Sequence, residues 1–163
     1  MNAPTLQVST PSDTEIVMTR AFQAPRPLVW EAMTSPAKLP LWLFSPPGWT
    51  MTTCEGEPRL GGGYRWGWSD EHGQSVMLIH GVFLEVEPPA RIVHTEIMEM
   101  GQCGPVGQLV AKTELTERSG TTQMRMTLTF ETKEARDGAL AWGMETGMEA
   151  GYRTLDAMLA GDA

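Results

Sequence analysis

The chain has 163 residues and a formal net charge of −8, from 12 basic and 20 acidic residues. This length suits one domain with a sizeable core. We do not expect nucleic acid as a partner, because binding phosphates requires a basic surface and no cluster of Lys or Arg stands out. No segment approaches the ~18 uninterrupted apolar residues of a membrane-spanning helix, so we expect no membrane span.

Residues 1–13 are rich in Pro, Ser and Thr, and this composition predicts a disordered lead-in. The lead-in lacks the apolar core of a signal peptide. We expect residues 14–163 to form a single domain. Cys54 and Cys103 have no metal-ligand spacing, and a reduced, cytoplasmic compartment is favoured over a disulfide between them.

The predicted elements begin with a strand over residues 15–22, in which Ile16, Met18 and Phe22 share one face. Two short helices follow, because prolines suit a first helical turn and interrupt a helix later on. The remaining strands alternate with turns that contain Gly or Pro, and Gly81 indicates a bend in the longest of them. The helices are predicted over 25–33 and 36–44, and the strands over 49–57, 64–70, 75–88, 90–100, 108–118 and 121–131.

The last stretch, residues 133–160, predicts one long amphipathic helix. Its four glycines each cost about 1 kcal/mol relative to alanine in a helix. They indicate either a close approach of the helix to the sheet or space for a ligand. The apolar face comprises Leu140, Met144, Met148, Leu155, Met158 and Leu159, and the face pointing away comprises Glu145, Glu149, Arg153 and Asp156.

Together these elements predict an α+β fold. One curved antiparallel sheet of about six to seven strands, wrapped around the long C-terminal helix, buries the apolar faces of both. The two short helices after the first strand would close one end of this assembly.

Short motifs in a fixed order support this layout. They include Phe22-x-Ala24-Pro25-Arg26, Arg59-x-Gly61-Gly62, Gly81-x-x-x-Glu85-x-x-Pro88-Pro89 and Gly147-Met148-x-x-Gly151-Tyr152-x-x-Leu155-Asp156. Their order and spacing resemble the helix-grip (START-like, Bet v 1-like or SRPBCC) superfamily, and within it the bacterial branch named after the activator of the heat shock protein 90 ATPase. The resemblance implies a pocket between the sheet and the C-terminal helix. It implies no single reaction, because superfamily members include carriers, cyclases, dehydratases and oxygenase domains.

The residues expected to line this pocket are mostly aromatic or sulfur-containing. Tryptophans offer a flat apolar wall, and flexible methionines adapt to different ligand shapes. The alternative is that the tryptophans only fill the core. The predicted ligand-binding residues are Trp42, Trp66, Trp68, Met98, Met124, Met126, Leu128, Leu140, Met144, Met148 and Gly151.

The strand over 90–100 leaves two orientations open. If Ile92 faces inward, His94 and Glu96 face inward with it and form a plausible acid–base pair in an apolar cavity. In the other orientation both lie on the solvated face.

His80, in the preceding strand, could orient a ligand through a hydrogen bond. The three histidines of the chain and Cys54 show no ligand spacing, so we expect neither a metal nor a cofactor.

Three functions are compatible with the sequence. The favoured one is the binding of a small apolar or amphipathic molecule in the pocket. The second is an enzyme of the cyclase, dehydratase or hydrolase type that uses His94, Glu96 or His80. The third is a chaperone-regulating role with a protein partner bound near Trp142 or the 101–107 loop. Sheet edges and the small-residue face of the last helix also leave a homodimer open.

Overall fold

The computed structural model describes residues 5–101 and 104–161, with residues 105 and 106 described by their backbone alone. The described chain contains eight strands and four helices. In order they are β1 (Gln7–Ser9), β2 (Glu15–Phe22), α1 (Arg26–Thr34), α2 (Leu39–Trp42), β3 (Thr50–Gly56), β4 (Gly63–Ser69), β5 (Ser75–Glu87), β6 (Arg91–Glu99), β7 (Pro105–Arg118), β8 (Thr121–Phe130), α3 (Lys133–Ala141) and α4 (Met144–Gly161).

All eight strands form one antiparallel sheet in the order β1-β2-β8-β7-β6-β5-β4-β3. Residues from α1, α2 and α4 share an apolar core with β2, β7 and β8. The predicted α+β helix-grip architecture is therefore confirmed, with eight strands in place of six to seven. Among the described residues, no helix combines the length and apolar character needed to cross a bilayer.

The additional strand comes from the segment that composition predicts to be disordered. β1 pairs with β2, and Leu6 beside it is buried. The amide of Leu6 donates to Oε1 of Glu149 at 3.1 Å, which ties this segment to α4. The prediction of disorder is wrong for these residues, because a short strand can add to a sheet edge without a strong apolar pattern of its own.

The C-terminal segment is two helices, and the prediction of one long helix over 133–160 is wrong. Gly143 adopts φ +79°, a left-handed conformation that ends a helical ladder and that glycine tolerates best. Trp142 caps α3 immediately before it and is 68% exposed. A periodic pattern of apolar residues continues through such a break, so periodicity alone does not reveal it.

Two glycines of α4 allow a close approach to α2 and the residues after it, rather than to the sheet. A Cβ atom at Gly151 would lie 3.0 Å from the carbonyl oxygen of Trp42, and one at Gly147 would lie 3.1 Å from the ring of Phe44. Side chains at these two positions would separate α4 from α2. Close approach therefore applies at both glycines, with a different neighbour, and both also line the cavity between the sheet and α4.

The face of α4 predicted to point away from the core also differs. Glu149 and Asp156 bind the guanidinium of Arg20, which is buried on β2 together with Ile16, Met18 and Phe22. The helical periodicity separates charged from apolar residues of α4, but it contains no information about a buried cation on another element. These ion pairs fasten α4 to the sheet.

Candidate functional site

A cavity of about 320 Å³ lies between the sheet and the helices α2 and α4. Residues of two apolar clusters line it. The larger cluster contributes Trp42, Leu128 and Tyr152, and the smaller contributes Tyr64 and Phe83. The cavity thus lies where the two parts of the core do not meet, at the lower end of the size range of ligand pockets, about 300–1,000 Å³.

Nine of the eleven predicted ligand-binding residues line this cavity. They are Trp42, Trp66, Trp68, Met98, Met126, Leu128, Met144, Met148 and Gly151. Met124 shares the face of Met126 but is fully buried in the larger cluster, away from the cavity. Leu140 belongs to α3, and the break at Gly143 separates it from the cavity-lining residues of α4. Met124 and Leu140 therefore contribute to the core, because parity assigns a face and not a position along it.

Two of the three tryptophans in the wall present rings whose polar atoms are already bonded elsewhere. Nε1 of Trp42 donates to the carbonyl of Ala32 at 2.8 Å, and Nε1 of Trp68 donates to Oγ of Ser45 at 3.0 Å. Trp42 also stacks on Tyr152, with ring centroids 5.7 Å apart. These fixed orientations provide an apolar wall beside the cavity.

The two orientations left open for β6 are resolved by its pairing with β5. His94 lies opposite Phe83, and Met98 lies opposite Ile79. The side chains of Ile92, His94, Glu96 and Met98 all line the cavity, in the first of the two predicted orientations. An imidazole and a carboxyl group therefore face the same apolar space.

His80 is located outside this arrangement. Its Nε2 lies 2.7 Å from Oε2 of Glu99, and it does not line the cavity. Since Ile79 lines the cavity, the strand alternation directs His80 to the opposite face of the sheet. The placement removes His80 from the candidate residues for orienting a ligand inside the cavity.

Tyr64, which sequence reasoning did not select, is a further member of the site. Its hydroxyl donates to the carbonyl of Thr95 at 2.7 Å and lies 3.1 Å from Nδ1 of His94. Tyr64 pairs with Gly81 across β4 and β5, so its ring passes over a residue without a side chain to reach β6. The period-two series Tyr64, Trp66 and Trp68 was the sequence signal that could have identified it.

Gly81 and its surroundings explain how a backbone carbonyl is free to bind Tyr64. A Cβ atom at Gly81 would lie 2.0 Å from the oxygen of Thr95. The amide of Val82 donates to the side-chain hydroxyl of Thr95 at 3.0 Å, in place of a backbone ladder bond. The ladder between β5 and β6 skips Gly81 and Val82 and shifts its register between Phe83 and Glu85, beside the site, where interrupted pairing re-aims side chains.

This hydrogen-bond geometry sets the tautomer of His94. The single hydroxyl proton of Tyr64 is donated to Thr95, so the hydroxyl oxygen accepts from Nδ1–H of His94. Nε2 then carries a lone pair and remains an acceptor. Burial lowers the pKa of His94, opposed by its hydrogen bond to the Thr95 carbonyl, so the ring is neutral at pH 7.

Glu96 is the other chemically distinctive group. Its side chain borders the cavity and is partly exposed, and no described residue hydrogen-bonds its carboxyl. Burial raises the pKa of Glu96 to about 7, because the charged form loses its hydration. Burial also raises the pKa of Tyr64, with a further contribution from the charge of Glu96.

The structure also bears on the predictions for metals and for a partner surface. In the described part of the chain, no three His, Cys, Asp or Glu side chains come together as a metal site would require. Residues 102 and 103, which belong to the loop proposed as a partner surface, lie outside the described residues. The prediction that Cys54 and Cys103 form no disulfide therefore stays a prediction.

An antiparallel sheet, a C-terminal helix packed on it and a cavity between them define a helix-grip protein. The family model described as "Activator of Hsp90 ATPase homolog 1-like protein" matches residues 23–160, and the chain belongs to this family. The resemblance noted from the motifs is thereby confirmed.

Solved structures agree with this assignment. A crystal structure of a protein from Rhodobacter sphaeroides is 37% identical, with a TM-score of 0.88, covering 96% of this chain and 99% of that one. A solution structure from Arthrobacter aurescens is 25% identical, with a TM-score of 0.79, covering 94% and 91%. A crystal structure from Mycobacterium smegmatis, at 21% identity, TM-score 0.81 and coverage of 96% and 97%, supports the fold alone. No curated protein matches the chain.

Proposed function

We propose that this protein binds a small amphipathic molecule in the cavity between the sheet and α4. The observation that carries the proposal is a hollow of about 320 Å³ lined almost entirely by aromatic, aliphatic and methionine side chains, with His94 and Glu96 on its wall. Such a site combines a large apolar surface with a few polar groups that orient the ligand. Burial of the apolar part supplies affinity, roughly in proportion to the area removed from water.

The wall of the cavity suits a ligand with rings. Trp66, Tyr64 and Phe83 form a continuous aromatic surface, with the ring centroid of Tyr64 4.9 Å from Trp66 and 5.4 Å from Phe83. Met98, Met126 and Met148 can adjust to the outline of a bound molecule. The polar end of the ligand would then meet His94 and Glu96.

A neutral two-ring probe, 2-naphthylmethanol, tests this proposal by isothermal titration calorimetry. We expect saturable binding to the wild-type protein and its loss in Met98→Trp, which places a larger side chain in the cavity. The matched control is Val110→Trp, because Val110 on β7 is 37% exposed and does not line the cavity. Equal binding by both variants, or no binding by the wild type, would contradict the proposal.

A second candidate function is general acid–base catalysis on the bound molecule. Two observations favour it: His94 keeps Nε2 free as an acceptor, and Glu96 holds a proton over part of the neutral range. General acid–base catalysis commonly uses two groups in one cavity, one that holds a proton and one that can accept a proton. If turnover of a bound compound is found, unchanged rates in His94→Ala and Glu96→Ala would dismiss this role.

A further inference from the structure

The charged groups around the cavity have one sign. Glu55 and Glu96 are the acidic residues of the lining, and among the described lining residues there is no Lys or Arg. Glu55 is exposed and follows Cys54, which packs against the core, so strand alternation directs its carboxyl away from the cavity and leaves Glu96 as the acidic side chain on the wall. Thr34 and Thr113 contribute hydroxyls, but no lining side chain carries a positive charge at pH 7, because His94 is neutral. A ligand that enters with a negative charge would therefore find no countercharge.

Arg20, a buried cation beside the cavity wall, is already paired with two carboxylates. Arg20 lies against the ring of Tyr152, with its guanidinium carbon 5.6 Å from the ring centroid, and Tyr152 lines the cavity. However, Arg20 donates to both carboxylate oxygens of Glu149 and to both of Asp156. Two carboxylates already face this one positive charge. Arg20 therefore cannot bind an anionic ligand in the cavity without breaking those ion pairs.

Glu96, by contrast, has no partner among the described residues. The apolar wall around this carboxyl removes part of its hydration and supplies no hydrogen-bond donor in return, so an incoming donor would stabilise it. The charge of Glu96 is close enough to affect Tyr64 on β4 and Tyr152 on α4. An incoming donor placed between these rings would meet the carboxyl of Glu96 and the free Nε2 of His94 together.

The aromatic rings of the wall also favour a positively charged ligand. Rings attract a cation over their faces, and the attraction strengthens when water is excluded. Tyr64, Trp66 and Phe83 border the same space as Glu96. An ammonium group would thus gain from both the carboxylate and the rings, whereas a carboxylate group would be repelled by each of them.

We propose that the ligand of this cavity is a hydrophobic amine, an apolar or aromatic molecule whose ammonium end binds the carboxylate of Glu96 and donates to Nε2 of His94. The proposal rests on the proposed function, since it assigns the chemical class of the molecule bound there. It excludes fatty acids and other hydrophobic carboxylates as preferred ligands.

The charge state of Glu96 makes this preference depend on pH. The titratable groups that line the cavity with it are His94 on the same strand, Tyr64 on β4 and Tyr152 on α4, whereas the side chain of Glu55 on β3 points to the opposite face of the sheet. The pKa of His94 is lowered and those of both tyrosines are raised, so these three stay neutral near pH 7. A permanently charged ligand should therefore bind more tightly as the pH rises and Glu96 ionises.

The test compares three probes with one ring system: 2-naphthylmethylammonium, 2-naphthylmethanol and 2-naphthoate, titrated into the full chain by calorimetry. Because a charge-assisted hydrogen bond contributes about 1.5–3 kcal/mol, at pH 8 the ammonium should bind at least about tenfold more tightly than the naphthoate. Glu96→Gln should remove most of that difference. Glu99→Gln, the same change on the same strand but at the hydrogen bond with His80, should leave it intact.

A quaternary probe, (2-naphthylmethyl)trimethylammonium, adds the pH measurement, since its own charge is fixed. Its affinity should rise between about pH 6 and pH 8 in the wild type and stay flat in Glu96→Gln. The comparison of the three probes uses the wild-type protein alone, so it tests the amine assignment even if Glu96→Gln fails to fold. If the alcohol binds but the amine binds no more tightly than the naphthoate, the amine assignment is overturned and the cavity's binding function stands. If none of the three binds, both proposals are overturned.

Discussion

The guanidinium of Arg20 binds the carboxylate of Glu149, with Nε 2.8 Å from Oε1 and Nη2 3.2 Å from Oε2. Asp156, two turns further along α4, accepts from Nη1 and Nη2 at 2.9 Å each. Arg20 is 1% exposed and its guanidinium carbon lies 5.0 Å from the ring centroid of Phe22. The hydrogen bond from Arg20 lowers the pKa of Glu149 to about 2. The cavity depends on this cluster, because it holds α4 in place over the sheet.

Replacing Arg20 by Met keeps the volume but leaves Glu149 and Asp156 without their partner. Removing one member of a buried ion pair costs about 3–5 kcal/mol, and partial exposure of the two acids places this site near the lower value. We expect the free energy of unfolding in urea to fall by about 3 kcal/mol. Lys133→Met, which breaks an exposed ion pair with Asp137, should cost under about 0.5 kcal/mol. Equal losses would show that the Arg20 cluster has no special weight.

Glu96 should make the protein less stable as the pH rises. Between the ordinary pKa of 4.5 and the raised value of about 7, the folded chain holds a proton that the unfolded chain has released, so the free energy of unfolding falls with pH. Glu96→Gln removes this penalty and should be about 1–3 kcal/mol more stable than the wild type at pH 8. The difference should shrink toward pH 4.5. Urea unfolding at several pH values measures it, and a pH-independent difference would contradict the assignment.

Tyr64→Phe should alter the tautomer of His94 without removing the ring. In the wild type we expect His94 to be neutral at pH 7 with its proton on Nδ1, because the Tyr64 hydroxyl accepts from that atom. The variant leaves Nδ1 with the Thr95 carbonyl at 3.3 Å alone, and the Nε2–H form should become populated. Two-bond ¹H–¹⁵N spectra of the imidazole distinguish the two forms. A wild-type ring already protonated on Nε2 would refute the hydrogen-bond scheme.

Two glycines should respond oppositely to alanine. Gly138 lies inside α3, and the space that a Cβ would occupy there is open to 4 Å, so Gly138→Ala should stabilise the protein by about 0.5–1 kcal/mol. Gly143 has φ +79°, where a side chain is strained, so Gly143→Ala should destabilise it by about 1 kcal/mol. Thermal unfolding of both variants checks the pair. Stabilisation by Gly143→Ala would indicate a continuous helix.

Much of the fold could be predicted from the sequence because strands and turns carry local signals. Period-two alternation predicted β2, and prolines predicted α1 and α2. The break at Gly143 could not be predicted, since a glycine in a helical pattern is compatible with both helical and left-handed backbone. Distinguishing them depends on what α3 and α4 pack against.

The candidate site was only partly predictable for a different reason. β6 has mixed character on both faces, with His94 and Glu96 on one and Val93 and Ile97 on the other, so only its pairing with β5 fixes the orientation. Arg20 has the parity of Ile16 and Met18, but its burial depends on acids far along the chain. Contacts between distant elements have no local signature.

Methyl NMR of ¹³C-labelled methionines tests the central claim most directly, because the chain has methionines both inside and outside the cavity wall. Met98, Met126 and Met148 line the cavity, whereas Met18 and Met124 are fully buried in the core away from it. On titration with 2-naphthylmethanol we predict shifts and intermolecular nuclear Overhauser effects at the first three methyl groups, with the other two nearly unchanged. Absence of any contact between the probe and the three cavity methionines at saturating probe would contradict binding in the cavity.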